Sequence, residues 1–248
     1  MSDTMPALFI SDLHLDPARP AVTASFLDFL ERRAWRAAAL YILGDLFEAW
    51  IGDDDDQALG KTVAAALRTL TDAGVAVSFL HGNRDFLLGQ RFAAASGIRL
   101  LPESVVIELA GQPVLLLHGD TLCIDDIAYQ TFRAKVRNPA WQGQILALPL
   151  TQRRALASQL RETSQQATRQ KAADITDVNP DEVDRVMRAH GVQRLIHGHT
   201  HRPAIHQWLL DDQPATRVVL SDWDDDRANA LCCDDAGWRL EPLLPPGT

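Results

Sequence analysis

Five short apolar runs recur along the chain, and each stops abruptly on side chains that are small or can bind an ion. Ala7 to Ser11 gives way to Asp12-Leu13-His14, Ala38 to Leu43 to Gly44-Asp45, and Val75 to Leu80 to His81-Gly82-Asn83-Arg84-Asp85. Val114 to Leu117 ends on His118-Gly119-Asp120, and Gln193 to Ile196 on His197-Gly198-His199-Thr200-His201. Short continuous apolar runs bounded by turn residues read as strands buried on both faces. Between them the apolar period changes. Val22, Phe26, Phe29 and Leu30 predict a helix over about 22 to 34, and Leu59, Val63, Leu67 and Leu70 one from about Asp56 to Ala73 that stops at Gly74. Residues 86 to 96 read as a further helix, and Val105 to Leu109 with Val114 to Leu117 as a hairpin about Gly111. Asn179-Pro180 opens another helix, with Asn as its cap. Strands alternating with helices predict an α/β fold. The segments near 205 to 210, 215 to 220, 230 to 233 and 238 to 243 alternate with turn residues and read as a meander.

The pattern breaks between Asp120 and Asp174. Large apolar residues fall there without a clean period, among them Phe132, Trp141, Ile145 and Leu148, and helices are expected near 125 to 136 and 149 to 172. This predicts a helical cap, residues 125–173, inserted into a core made of residues 1–124 and 174–248.

Composition sharpens that picture. The chain has 248 residues, 46% of them apolar, which is ample for a buried core. Its net charge of -9 argues against non-specific nucleic-acid binding. The charge is uneven, because residues 127 to 173 carry eight basic side chains and one acid, Glu162. A basic segment on an acidic body is expected to meet an anion, either a phosphorylated substrate or an anionic membrane surface. No apolar run approaches the length of a membrane span, and the start Met1-Ser2-Asp3-Thr4-Met5-Pro6 lacks the pattern of a signal peptide, so a cytoplasmic protein is expected. Cys123, Cys232 and Cys233 form no metal or disulfide pattern and are expected to be reduced and buried. The run Asp53 to Asp56 reads as a solvated loop that opens a helix.

The strand ends carry the candidate chemistry. In an α/β sheet, loops at the carboxyl ends of strands gather on one rim. Alternation along extended chain points Asp12 and His14 to the same side. Seven candidate ligands of mixed oxygen and nitrogen type exceed what one divalent ion needs, and two ions sharing a carboxylate fit better. Spacing alone allows His197 with His199, or His199 with His201, as the chelating pair.

The order Asp-x-His, Gly-Asp, Gly-Asn, His and Gly-His-x-His, covering residues 12 to 201, resembles the calcineurin-like metallophosphoesterases. The resemblance implies a four-layer α/β/β/α sandwich with two divalent ions, and it selects His199 and His201. Asp12, His14, Asp45 and His201 would then hold one ion, with Asn83, His118, His199 and the shared Asp45 on the other. His197 is left as a supporting or structural residue. Gly44-Asp45-Leu46-Phe47-Glu48-Ala49-Trp50, His81-Gly82-Asn83-Arg84-Asp85-Phe86-Leu87 and Phe132-Arg133-Ala134-Lys135-Val136-Arg137 narrow the resemblance to the UDP-2,3-diacylglucosamine pyrophosphohydrolases of lipid A biosynthesis. That branch implies a hydrolase with manganese as the usual ion, cleaving UDP-2,3-diacylglucosamine to UMP and 2,3-diacylglucosamine 1-phosphate. It implies catalytic roles for Asp45, Asn83, Arg84 and His199, and substrate contacts from Asn83, Arg84, Asp126, Ser164, Thr168, Lys171 and His199. Where many metallophosphoesterases carry His, this chain has Arg84, a permanently charged fork suited to phosphate. The expected partners are an amphiphilic nucleotide-sugar lipid and the cytoplasmic face of the inner membrane, met peripherally by a monomer. The alternative is a metallophosphoesterase acting on a soluble nucleotide or phosphodiester.

Overall fold

The computed structural model describes residues 5–170 and 175–243, with the side chains of 164–170 left aside. Eleven strands form two sheets among these residues. The first contains β1 (Ala7–Ile10), β2 (Ala39–Ile42), β3 (Ala76–Phe79), β4 (Arg99–Leu100), β10 (Asn229–Asp234) and β11 (Gly237–Pro242), in the order β11-β10-β1-β2-β3-β4. The second contains β5 (Ser104–Leu109), β6 (Gln112–Leu117), β7 (Arg194–His197), β8 (Ala204–Leu210) and β9 (Gln213–Val219), in the order β5-β6-β7-β9-β8. Strands β1 to β4 run parallel, as do β6, β7 and β9.

Period-two alternation divides each central strand between two cores. Leu8 and Ile10 of β1 face outward, where they pack with Phe26 of α1 (Pro20–Arg32), Leu67 of α2 (Ala58–Asp72) and Phe92 of α3 (Gln90–Ser96). Phe9 faces inward and meets Leu43, Leu80, Leu116, Ile196 and Val218 between the sheets. On the far side, Val183 and Met187 of α7 (Pro180–His190) cover Leu115 and Leu195 of the second sheet. The result is the expected four-layer α/β/β/α sandwich. Cys123, Cys232 and Cys233 are buried and free.

Three helices enter between β6 and α7: α4 (Ile127–Val136), α5 (Pro139–Leu146) and α6 (Leu150–Gln170). Helix α5 has no sequence-based counterpart because it buries no residue fully and so shows no core stripe. It starts where Asn138 accepts hydrogen bonds from Ala140 and Trp141 N–H groups ahead of Pro139. The C-terminal segments are not one meander. They are two hairpins, β8–β9 and β10–β11, that join different sheets. Local turn signals cannot distinguish these arrangements, because the choice of sheet is made by long-range pairing with β7 and β1.

The acidic run also departs from expectation. Helix α2 begins at Ala58, and Asp53 instead accepts from the Gly89 and Phe92 N–H groups at the start of α3. Asp54 and Asp55 pair with Arg153 and Arg154 of α6. The run is thus a fastening point for the inserted helices. Arg133 pairs with Asp120 and Glu103, Arg137 donates to the Gly82 carbonyl at 2.8 Å, and Arg161 pairs with Glu48. Five of the eight basic side chains of this stretch therefore serve the protein's own acids and carbonyls.

Candidate metal centre

The loops after β1, β2, β3, β6 and β7 meet at one rim. The β1 loop is stitched to the β2 loop by backbone bonds from Asp12 N–H to Gly44 (3.1 Å), His14 N–H to Asp45 (2.9 Å) and Leu15 N–H to Leu46 (3.0 Å). Asp85 draws in the β3 loop by accepting from the N–H groups of Gly82 (2.9 Å) and Leu46 (2.7 Å). Burial, with the Asp45 carboxylate nearby, pushes Asp85 up to about 7.

Strand alternation does not bring Asp12 and His14 together. Both have left-handed backbone, at φ 55° and 49°, and so do Asp45 (53°), His199 (69°) and His201 (56°). Five non-glycine residues with φ above zero in one site store strain on the order of 1 kcal/mol each, which the interlocked loops sustain. The tight turns replace extended chain because the side chains must converge on a point rather than line a face.

The convergence forms two adjoining sets. In the first, His14 and His201 bring their Nε2 atoms within 3.3 Å of each other. Asp12 Oδ1 stands 3.4 Å from His201 Nε2, and Asp45 Oδ2 stands 3.9 Å from His14 Nε2. In the second, Asn83 Oδ1 lies 3.0 Å from His118 Nε2 and 2.9 Å from His199 Nδ1, with Asp45 Oδ2 at 3.8 Å from His118 Nε2. One oxygen of Asp45 therefore sits between the sets.

The donor atoms fit divalent cations. Asp12 Oδ2 is occupied, accepting from Ser11 Oγ (2.6 Å) and His199 N–H (2.8 Å), while its Oδ1 is buried without a hydrogen-bond partner. A buried carboxylate oxygen with no donor is costly unless a cation meets it. Burial alone would raise Asp12, yet His201, His118 and His14 hold it well below the usual carboxylate range. Burial and the neighbouring His118 lower His199 to about 4, leaving a neutral imidazole with a free lone pair.

Supporting carboxylates complete the centre. Glu48 Oε2 faces His14 Nδ1 at 2.9 Å, and Asp222 Oδ2 faces His201 Nδ1 at 3.7 Å. His118 Nδ1 is directed at the Leu43 carbonyl, 2.8 Å away. Tyr129 donates to Asp120 at 2.9 Å and lays its ring 5.8 Å from that of His199. Glu48, Asp85, Asp120, Tyr129 and Asp222 thus stand beside the candidate ligands, and the sequence patterns assign none of them a place there. His197 is buried and directs Nδ1 to the Gly198 carbonyl, 2.9 Å away.

Gly198 explains why the last motif needs glycine, since a Cβ there would collide with Asp12 Oδ2 and Ser11 Oγ. Gly198→Ala is expected to cost about 1–3 kcal/mol of stability through overpacking. It should also weaken metal uptake by displacing Asp12, and thermal melts with metal titration check both. Unchanged metal affinity would show that the close approach is dispensable.

Above the rim lies a cleft of about 540 Å³. His14, Asp45, Asn83, His199 and His201 line its floor, and Phe86, Phe132, Trp141, Ile145, Leu156 and Leu160 its walls. Arg84 lies between, its backbone N–H donating to Asp45 Oδ1 at 2.8 Å and its Nε buried with no hydrogen-bond partner. Asp126 also lines the cleft but caps α4, accepting from Tyr129 N–H at 3.0 Å. The side chains of Ser164 and Thr168, and Lys171 as a whole, lie outside the described residues.

The candidate donor side chains stand in loops at the ends of parallel strands in a double-sheet sandwich, and the chain belongs to the calcineurin-like phosphoesterase family, whose pattern matches residues 5–203. Relatives within that family include proteins named UDP-2,3-diacylglucosamine hydrolase. The chain is 54% identical over 246 residues to the one from Stenotrophomonas maltophilia, covering 96% of this chain and 99% of that protein. With the one from Escherichia coli it shares 57% identity over 219 residues, 88% of this chain and 91% of that protein.

Proposed function

We propose that this chain hydrolyses the pyrophosphate bond of UDP-2,3-diacylglucosamine in lipid A biosynthesis, releasing UMP and 2,3-diacylglucosamine 1-phosphate. The observation that carries this reading is the gradient of the cleft, from a floor of ligand side chains, past the Arg84 guanidinium, to walls of aromatic and aliphatic groups. Such a gradient suits a molecule with a phosphate bridge and two acyl chains, and the relatives' names agree with it. A soluble nucleotide would leave the apolar walls bare.

Asp12, His14, Asp45 and His201 would hold one divalent ion, and Asn83, His118, His199 and the shared Asp45 the other. Ions held in this way supply an activated water and neutralise phosphate oxygens. Mixed imidazole, amide and carboxylate donors fit manganese, which we propose as the native ion. Arg84 binds the phosphate as a fork, its backbone fixed between Asp45 Oδ1 and the Trp50 N–H that bonds to its carbonyl at 3.1 Å. Asp126, Ser164, Thr168 and Lys171 are proposed as substrate contacts with Asn83 and His199. The apolar walls around the acyl chains exclude bulk water from the reacting phosphates. The insertion 125–173 acts as the cap. Phosphorus NMR of a reaction with the lipid substrate should show two phosphomonoesters, UMP and the lipid 1-phosphate; inorganic phosphate as the product would contradict the proposed cleavage.

Among the described residues no helix is long and apolar enough to cross a membrane. We propose peripheral contact through the cleft's mouth, where Ile124, Ile127 and Ile175 are exposed, Ile127 by 71%. They adjoin Cys123 and Thr176, which line the cleft and touch at 3.7 Å. Because most of the cap's arginines are paired internally, the apolar edge rather than the basic charge carries this contact. Flotation with anionic vesicles should show binding that largely survives high salt. Complete release by salt would return the contact to charge.

A further inference from the structure

Glu48 bridges two parts of the molecule that the sequence separates widely. One carboxylate oxygen lies 2.9 Å from His14 Nδ1, and the other lies 2.9 Å from Arg161 Nε on α6. The same guanidinium reaches Asp16 Oδ2 at 3.3 Å, in the loop that follows the Asp12-Leu13-His14 turn. Two turns earlier in the helix, Arg153 donates to the Ile51 carbonyl at 2.7 Å and pairs with Asp54. Helix α6, whose Leu156 and Leu160 wall the cleft, is thus seated on the β1 and β2 loops through arginines.

We propose that Glu48 is a positioning residue for the first ion, and that Arg161 couples occupancy of that ion site to the seating of α6. The inference rests on the assignment of His14 as a ligand. A carboxylate on the Nδ1 side fixes the ring and leaves Nε2 directed toward Asp12 and Asp45. Arg161 in turn fixes the rotamer of Glu48, since a carboxylate held at 2.9 Å from an imidazole on one oxygen and from a guanidinium on the other has one orientation that keeps both contacts. Coupling of this kind is reciprocal: if a seated helix favours the ion, the ion favours a seated helix by the same factor. One wall of the cleft would then be assembled most completely when the chemistry is ready.

The test uses the full chain, stripped of metal, in a manganese titration read by electron paramagnetic resonance of free ion. Hydrogen exchange of the amides in 150–163 is followed in parallel. Wild type should bind two ions, and exchange in α6 should slow as they bind. Glu48→Ala should weaken one of the two sites about 10- to 100-fold while the other changes little. Arg161→Met, which keeps the aliphatic stem, should weaken that same site about fivefold and abolish the metal-dependent slowing. Glu48→Gln should keep more affinity than Glu48→Ala, since its amide oxygen can still face His14 Nδ1, yet lose the slowing as Arg161→Met does. Two sites of unchanged affinity in Glu48→Ala would overturn the positioning role. Wild-type slowing in both Arg161→Met and Glu48→Gln would overturn the coupling. A wild-type chain that takes up no ions would instead sink the ligand assignment itself.

Discussion

Asp45→Ala is expected to abolish turnover, with a fall in kcat well beyond the roughly 10- to 100-fold that loss of a supporting residue costs a metal site. Asp45 Oδ2 is the atom between the two ligand sets, 3.9 Å from His14 Nε2 and 3.8 Å from His118 Nε2, while Oδ1 anchors the Arg84 backbone at 2.8 Å. Truncation would remove the bridge, bring two sets of imidazoles together without their shared negative charge, and release the β3 loop. Bound manganese should fall from two per chain toward one, as atomic absorption after gel filtration would show. Asp45→Asn, which keeps the shape and removes the charge, should also lose the second equivalent. Two tightly bound ions in Asp45→Ala would mean that the sets do not share this residue.

Arg84→Ala is expected to leave both ions in place and still cripple the enzyme. Its Nε is buried without a partner, and Asp85, the adjacent carboxylate, is committed to backbone N–H groups. The guanidinium lines the cleft with an unsatisfied Nε–H, as a phosphate-binding group should. Removing one member of a buried charge pair costs about 2–5 kcal/mol, roughly a 30-fold or greater fall in kcat/KM. Arg84→Lys should recover only part of this, because an ammonium replaces a planar fork with a point charge. Steady-state kinetics beside metal analysis separate this effect from that of Asp45. Near-normal kcat/KM in Arg84→Ala would remove Arg84 from the mechanism.

The floor of the site was legible in outline because each candidate residue follows a short apolar run bounded by turn residues, and strand ends of an α/β sandwich share a rim, while the choice among them came from the family resemblance. Asp12, His14, Asp45, Asn83, His118, His199 and His201 all meet there. The route by which they meet was not legible, since left-handed backbone at Asp12 and His14 is imposed by bonds to Gly44 and Asp45, far away in sequence. The supporting carboxylates were hidden for a related reason. Glu48, Asp120 and Asp222 look like ordinary acids until the fold places a ligand histidine, a cap arginine or a tyrosine beside them. In the tail, Trp223 packs against Phe26 and Phe29 while its neighbour Asp222 reaches His201. The basic stretch was only partly legible: it suggested an external anion, and several of its arginines also pair within the protein, with Asp54, Asp55, Glu48 and Asp120.

The central claim is that the polar floor and apolar walls serve one amphiphilic substrate. It is tested most directly by comparing hydrolysis of UDP-2,3-diacylglucosamine, UDP-N-acetylglucosamine and bis-p-nitrophenyl phosphate by the manganese-loaded chain under identical conditions. Release of UMP from the diacylated substrate, with the two soluble compounds turned over far more slowly or not at all, is the predicted result. Efficient turnover of the soluble compounds with no reaction of the lipid would contradict it.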